Sequence, residues 1–385
     1  MEIIFFAIVA LAYLSVVVYQ ANRDDVIGGQ LVKRTQQATA NMNITEVASR
    51  NLGATDDDLA SQPKMIRGGR ETLMMWMLYA AVFITFLLGL LIFLGAILPD
   101  DAQSDDPSLV FQVERLPATI NFVLTLLFVI VSISVMRSRA VRVRLRRMLE
   151  SDALYNPDSR VHTAAIVLSF VALSMTLSTF VISGGLSGLA ENVAETEIAV
   201  DGLVVQMILE VAAAFVGIRF LLQRGFLQSV RRLGLRLPTP DDMTWGVGGG
   251  IGLFIFLIVV GGIWQALVSP EVFDAQTAAS QEIANAINTL PLAFAVAMSA
   301  AVGEEIFFRG ALQPVFGVVP VAIFFTLLHT QYTLTPATLI IFSVAVGLGL
   351  LRKKYSTTTA IIAHFLYNYI QLVIPLLAVS REIAP

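Results

Sequence analysis

The chain of 385 residues contains no cysteine, which excludes disulfide frameworks and Cys-ligated metal centres. Histidine is nearly absent too, with three in all, so any metal must be held by imidazole and carboxylate. Charged residues make up only 14% of the chain, against about 25% in a soluble domain. That scarcity excludes an ordinary cytosolic enzyme, because too little polar surface remains to cover a globule of this length. The net charge of −4 lies too near zero to indicate nucleic acid or other acidic partners.

Apolar residues are what the chain has in excess. They reach 56%, with a mean hydropathy of +0.76. They fall in uninterrupted runs of about 20 residues, each long enough to cross a hydrocarbon core of roughly 30 Å as a helix. The expected fold class is all-α, a polytopic transmembrane bundle of about ten spans. The spans read as 3–19, 72–98, 116–136, 163–182, 199–222, 244–268, 290–314, 318–333, 336–351 and 358–379.

The loops sort by charge. Segments 20–71, 137–161, 219–243 and 352–354 hold clusters of Lys and Arg, whereas 99–115, 183–198 and 269–289 hold a single basic residue, Arg115. With ten spans every basic loop falls on one side, which the positive-inside rule makes cytoplasmic, and both termini then face out. The cell (inner) membrane is the expected location. Met1–Tyr19 carries Glu2 and lacks a basic leading region, so it reads as a signal anchor rather than a cleaved signal peptide.

Two parts follow from the charge pattern. Residues 1–190 hold four spans, the polar segment 20–71 and the arginine-rich stretch Val141–Leu149, with no function assigned. That stretch reads as a topology signal or a surface lying on anionic headgroups. Residues 199–380 hold six spans and nearly all the chemistry. No internal repeat of 20–50 residues is visible.

Ionisable groups at membrane depth are the informative ones, because each costs at least ~2.5–3.5 kcal/mol on insertion scales. Span seven carries Glu304, Glu305 and Arg309, span eight His329, and span ten His364 and Asn368. At a 1.5 Å rise per residue, Glu304 and His329 lie roughly 15 Å and His364 about 10 Å from the basic side. Packed as a bundle, these helices can aim them at one cavity. Glu305 and Arg309 are four residues apart and can pair, leaving Glu304 free. Desolvation suits such a carboxylate to general-base work. His364 and Asn368 likewise share a face. Such a set can activate water and stabilise an oxyanion. Alternatively Glu304, His329 and His364 can hold a Zn²⁺.

In this order, Glu304-Glu305-x-x-x-Arg309, Phe325-x-x-x-His329 and His364-x-x-x-Asn368 resemble the three motifs of the CAAX-protease and bacteriocin-processing (CPBP/Abi) family. The resemblance covers roughly residues 200–375 and nothing in 1–190. It implies an intramembrane endopeptidase in which Glu304 is the general base and His329 positions the water. His364 and Asn368 would stabilise the oxyanion, with the Glu305–Arg309 pair in support. Both metal-dependent and metal-free glutamate mechanisms are compatible with it. The implied partners are a protein or peptide substrate, with a lipidated C-terminus or a bacteriocin leader as candidates, and membrane lipids.

Each residue also has a plainer explanation. Glu304 and Glu305 can be an ion-pair site, although two acids against one base leave a charge uncompensated. His329 can be a packed histidine, and Asn368 an interhelical hydrogen-bonding group. His162, at the mouth of span four, is given no role. Glu210, mid-span in span five, is equally compatible with a structural role and with a substrate path. Gly246/Gly250 and Gly248/Gly252 read as close-packing pairs. A non-proteolytic transporter or immunity-type binding protein using the same cavity is the alternative function.

Overall fold

A computed structural model of the chain describes residues 12–26, 71–98, 113–195, 199–220, 222–333 and 335–382. The start of span one, most of the polar segment 20–71 and both termini lie outside the described residues. The described residues form no strand, only one isolated bridge between Phe220 and Arg224. The helices are α1 (residues 12–26), α2 (Glu71–Ile97), α3 (Arg115–Arg137), α4 (Arg139–Met148), α5 (Arg160–Ile182) and α6 (Gly185–Glu195). There follow α7 (Val200–Gly217), α8 (Phe226–Arg232), α9 (Pro240–Leu267), α10 (Pro270–Ala286) and α11 (Leu290–Glu304). The last continues as a π-helix (Glu305–Leu312) and a final turn (Gln313–Phe316). After it come α12 (Val318–Leu328), a 3₁₀ turn (Thr330–Tyr332), α13 (Ala337–Lys354) and α14 (Thr357–Glu382).

Seven of these helices are long and apolar enough to cross a membrane, among them α11 with its π continuation. The polytopic all-helical expectation holds. Of the ten expected spans, the first (described only from residue 12), eighth and ninth are not among the seven, and the eighth is the shortest. Read as 318–333, it ends as a helix at Leu328 after 11 residues, only about 16 Å. The reason is local: the His329 amide bonds to Thr326 rather than one residue further back, and His329 itself leaves helical backbone space (φ −90°, ψ 71°). Irregular backbone at membrane depth is tolerated where protein covers it.

The helix starts follow capping chemistry. Ser159, Thr239, Ser269 and Thr289 accept hydrogen bonds from first-turn amides of α5, α9, α10 and α11, and Pro stands in the first turn of the last three. Asp242 joins two helices: buried in the first turn of α9, it accepts from Arg236 at 2.9 Å and from Ser356 Oγ, just before α14, at 2.7 Å. Above this joint the Gly246/Gly250 face lets α9 approach α14. A β-carbon at Gly246 would lie 2.7 Å from Ile362 Cγ2, and one at Gly250 would lie 2.7 Å from the Ala363 carbonyl. Gly248 and Gly252 face open space instead, so only one of the two small-residue pairs packs.

The first four spans share a core that includes Val17, Leu78, Met136 and Val167. Single, partly buried acids fasten that core to the remaining helices. Asp25 at the end of α1 accepts from Ser159 Oγ (2.6 Å) and the Arg160 amide (2.7 Å), and it pairs with Arg219 at 3.2 Å. Asn22 donates to the Val216 carbonyl at 2.8 Å. Glu150 accepts from the Val318 amide at 2.7 Å, the first residue of α12, and pairs with Lys353 at the end of α13 at 3.0 Å. Gly317 permits that reach: its φ of +91° suits glycine, and a β-carbon there would come 2.9 Å from the Glu150 carboxylate.

Burial opposes ionisation of Glu150, yet the hydrogen bond from Lys353 and the amides of Val318 and Val319 outweigh it and hold its pKa below the usual value. A depressed carboxylate pKa contributes stability above the unfolded value that is lost as pH falls through the folded one. Glu150→Gln should therefore cost about 1 kcal/mol near neutrality. The variant should also lose less stability than the wild type on acidification below the ordinary glutamate range, as read by thermal unfolding across a pH series.

Candidate intramembrane site

Glu305 and Arg309 stand on the π-helix, buried to 0% and 1% exposure. The wider turn is a common device at functional positions, and periodicity alone gives no sign of it. Arg309 Nη1 lies 2.9 Å from Glu305 Oε1. His364 Nδ1 lies 2.8 Å from the same oxygen. One carboxylate thus serves both a guanidinium and an imidazole from a different helix. The Arg309 guanidinium also sits 4.4 Å from the centroid of the Phe325 ring and donates to the Ala345 carbonyl at 3.3 Å. Cation–π contact and the ion pair offset part of the cost of a buried charge, while Arg309 Nη1 and Glu305 Oε2 make no hydrogen bond among the described residues.

Both histidines are oriented through the same nitrogen. His329 Nδ1 is 2.8 Å from the Phe325 carbonyl, which only accepts, so that nitrogen carries the proton. His364 Nδ1 likewise donates to Glu305. In each ring Nε2 is left for other work. Phe325 is the hub between them, its ring centroid 4.3 Å from that of His329 and 6.3 Å from that of His364. The sequence reading took Phe325 only as a motif position, and its packing role emerges from the fold.

Glu304, the last residue of α11, is half-buried, and its Oε2 is buried with no hydrogen-bond partner among the described residues. Its charge acts on both Glu210 and Tyr332, so the three stand together. Glu210 reaches the site because Gly303 has no side chain: a β-carbon there would lie 2.3 Å from Glu210 Oε2 and 3.1 Å from the Met207 Cα. Gln206 holds the other Glu210 oxygen at 3.1 Å. Asn368 is half-buried on α14, one turn beyond His364. His162 lies elsewhere, stacked on Tyr155 with ring centroids 5.8 Å apart.

The zinc alternative finds no ligand set. Among the described residues no three His, Asp or Glu side chains are arranged to hold a metal ion. As arranged, Glu304, His329 and His364 do not fit such a centre.

Seven apolar helices around a buried ion pair mark a multi-pass membrane protein. Residues 286–370 match the family model described as Type II CAAX prenyl endopeptidase Rce1-like. The matched stretch runs from the last residue of α10 past Asn368 and takes in all three motifs, within the wider region of resemblance. It supports a CAAX-type intramembrane endopeptidase in general. No curated protein and no solved structure matches the chain significantly.

Two substitutions probe this packing. Glu305→Ala leaves Arg309 buried without its counter-ion and should destabilise the protein by about 3–5 kcal/mol, whereas Glu305→Ala combined with Arg309→Met should cost less. Gly303→Ala displaces the Glu210 carboxylate and presses on the α7 backbone, an overpacking penalty of about 1–3 kcal/mol. Chemical or thermal unfolding in detergent measures both.

Proposed function

We propose that the protein is an intramembrane endopeptidase that hydrolyses peptide bonds near the cytoplasmic leaflet, with Glu304 activating the water. The observation that carries this reading is the contrast between two adjacent acids. Glu305 Oε1 is held by both Arg309 and His364, whereas no ion pair anchors Glu304, and the second oxygen of each acid, Oε2, is buried without a hydrogen-bond partner among the described residues. A buried, uncommitted carboxylate is a base; a doubly paired one is a scaffold.

In this scheme Glu304 takes a proton from water as the oxygen attacks the scissile carbonyl. His329, its Nδ1–H fixed on a backbone carbonyl, offers Nε2 as an acceptor that orients the same water. His364 and Asn368 face the developing oxyanion. His364 must then donate through Nε2 while Nδ1–H remains on Glu305, which requires the imidazolium. The proton held by Glu304 passes to the leaving amine as the C–N bond breaks.

Because the side chains do not fit a metal centre, no step here uses one. The substrate is a protein or peptide, and the family's description directs the first trial to a prenylated C-terminal peptide, with a bacteriocin leader as the second. The basic ends of the helices would face the cytoplasm of a cell whose inner membrane holds the protein, both termini outside.

Glu304→Gln should lower kcat by about 10²–10⁴-fold while the protein still folds and inserts. His364→Ala should cost about 10²–10³-fold for loss of an oxyanion donor, with added instability because Glu305 loses a partner. Full activity of the Glu304 variant in a purified peptide-cleavage assay would sink the proposal. A chelator such as 1,10-phenanthroline should leave cleavage unchanged. Loss of activity restored by added Zn²⁺ would instead establish a metal route.

A further inference from the structure

Separate from the ion-paired site, a cavity of about 420 Å³ lies among α1, α5, α7, α12 and the π-helix, within the range of small-molecule sites. Val18, Leu168, Ala172, Phe307, Leu312 and Phe324 are among its apolar walls. Its lining includes none of Glu304, Glu305, His329 or His364. Toward the basic ends of the helices it is bounded by Arg219, Arg224 and Arg232.

These three arginines are not equivalently satisfied. Arg219 pairs with Asp25 at 3.2 Å. Arg224 donates to the Ile218 carbonyl and Arg232 to the Gly310 carbonyl, and neither has an acidic partner among the described residues. Burial, then the nearby charges of Arg224 and Arg352, push the Arg232 guanidinium down to about 10. Positive charge is therefore crowded and half-buried at one end of a hydrocarbon-lined cavity. A small anion would satisfy the guanidinium groups and leave the apolar walls empty, and a neutral lipid would do the reverse. The guanidinium fork matches phosphate oxygens, and basic pockets between membrane helices suit anionic headgroups. The neighbouring cavity of about 380 Å³ beyond Arg232 is lined by Glu150 and Asp152 as well as Arg352, which makes it a poorer anion site.

We propose that this cavity binds an anionic phospholipid, its phosphate on Arg224 and Arg232 and an acyl chain between α5 and the π-helix. The lipid bridges the N-terminal spans and the matched segment, since Val18 and Phe307 line the same space. This inference does not depend on peptide hydrolysis.

The test uses the full chain purified in detergent, with native mass spectrometry for retained lipid and thermal unfolding for the effect of added lipid. Phosphatidylglycerol should be retained and should raise the unfolding midpoint, whereas phosphatidylcholine and inorganic phosphate should not. Arg224→Gln with Arg232→Gln should weaken phosphatidylglycerol binding by about tenfold or more, and the corresponding Lys pair should weaken it less. Ala172→Phe, which fills the apolar part without touching the arginines, should also reduce retention and keeps the test decisive if the Gln pair fails to fold. Equal stabilisation by both lipids, protection by inorganic phosphate alone, or unchanged retention in Ala172→Phe would overturn the proposal. So would displacement of the lipid by a lipidated peptide substrate, which would assign the cavity to substrate.

Discussion

A charge placed at membrane depth must find its counter-charge inside the protein, because no water is there to solvate it. In this chain that requirement is met at one atom. Glu305 Oε1 pairs with Arg309 on its own helix and accepts from His364 on another, so α11, its π continuation and α14 cannot move apart without exposing an uncompensated ion. Phe325 extends the same constraint to α12 by stacking on the Arg309 guanidinium and on His329. The neighbouring acid owes its availability to this arrangement: Glu305 absorbs the local positive charge, and Glu304 is left uncommitted.

The surrounding helices hold that centre in register through close approach and through capping at a distance. Gly246 and Gly250 bring α9 against α14 where the Ala363 carbonyl precedes His364. Asp242 pins the start of both helices with hydrogen bonds to Arg236 and Ser356. Gly303 admits the Glu210 carboxylate to the space beside Glu304. At the basic end Asp25 supplies the cap for α5 and Glu150 the cap for α12. In each case an acid from one segment satisfies the orphan amides of another, which converts local helix chemistry into tertiary order.

Much of this was legible in the residues. Hydropathy alone marked a helical membrane protein, since a long apolar run has few other fates. The spacing of Glu305 and Arg309 was enough to expect their ion pair. The ordered motifs, within the stretch 286–370 that a family model matches, picked out Glu305, Arg309 and His364, which the fold brings into contact. What could not be read was anything decided by contact across helices. Glu210 was a lone mid-span acid until Gly303 was seen to admit it. His364 was expected to share its work with Asn368, and it proves also to be anchored by Glu305. For the zinc alternative, no three His, Asp or Glu side chains are arranged to hold a metal ion among the described residues.

By itself, then, the sequence determined the class of fold, most of the spans and the identity of the few polar residues at depth. Those follow from one-dimensional quantities: run length, charge and spacing along a helix. Only the tertiary structure decided which acid is paired and which is free, where the helix bearing His329 stops, and that two arginines bound an apolar cavity without acidic partners among the described residues. Those are matters of distance between segments far apart in the chain. They are set by packing and by the need to neutralise every buried charge, and no local pattern encodes either.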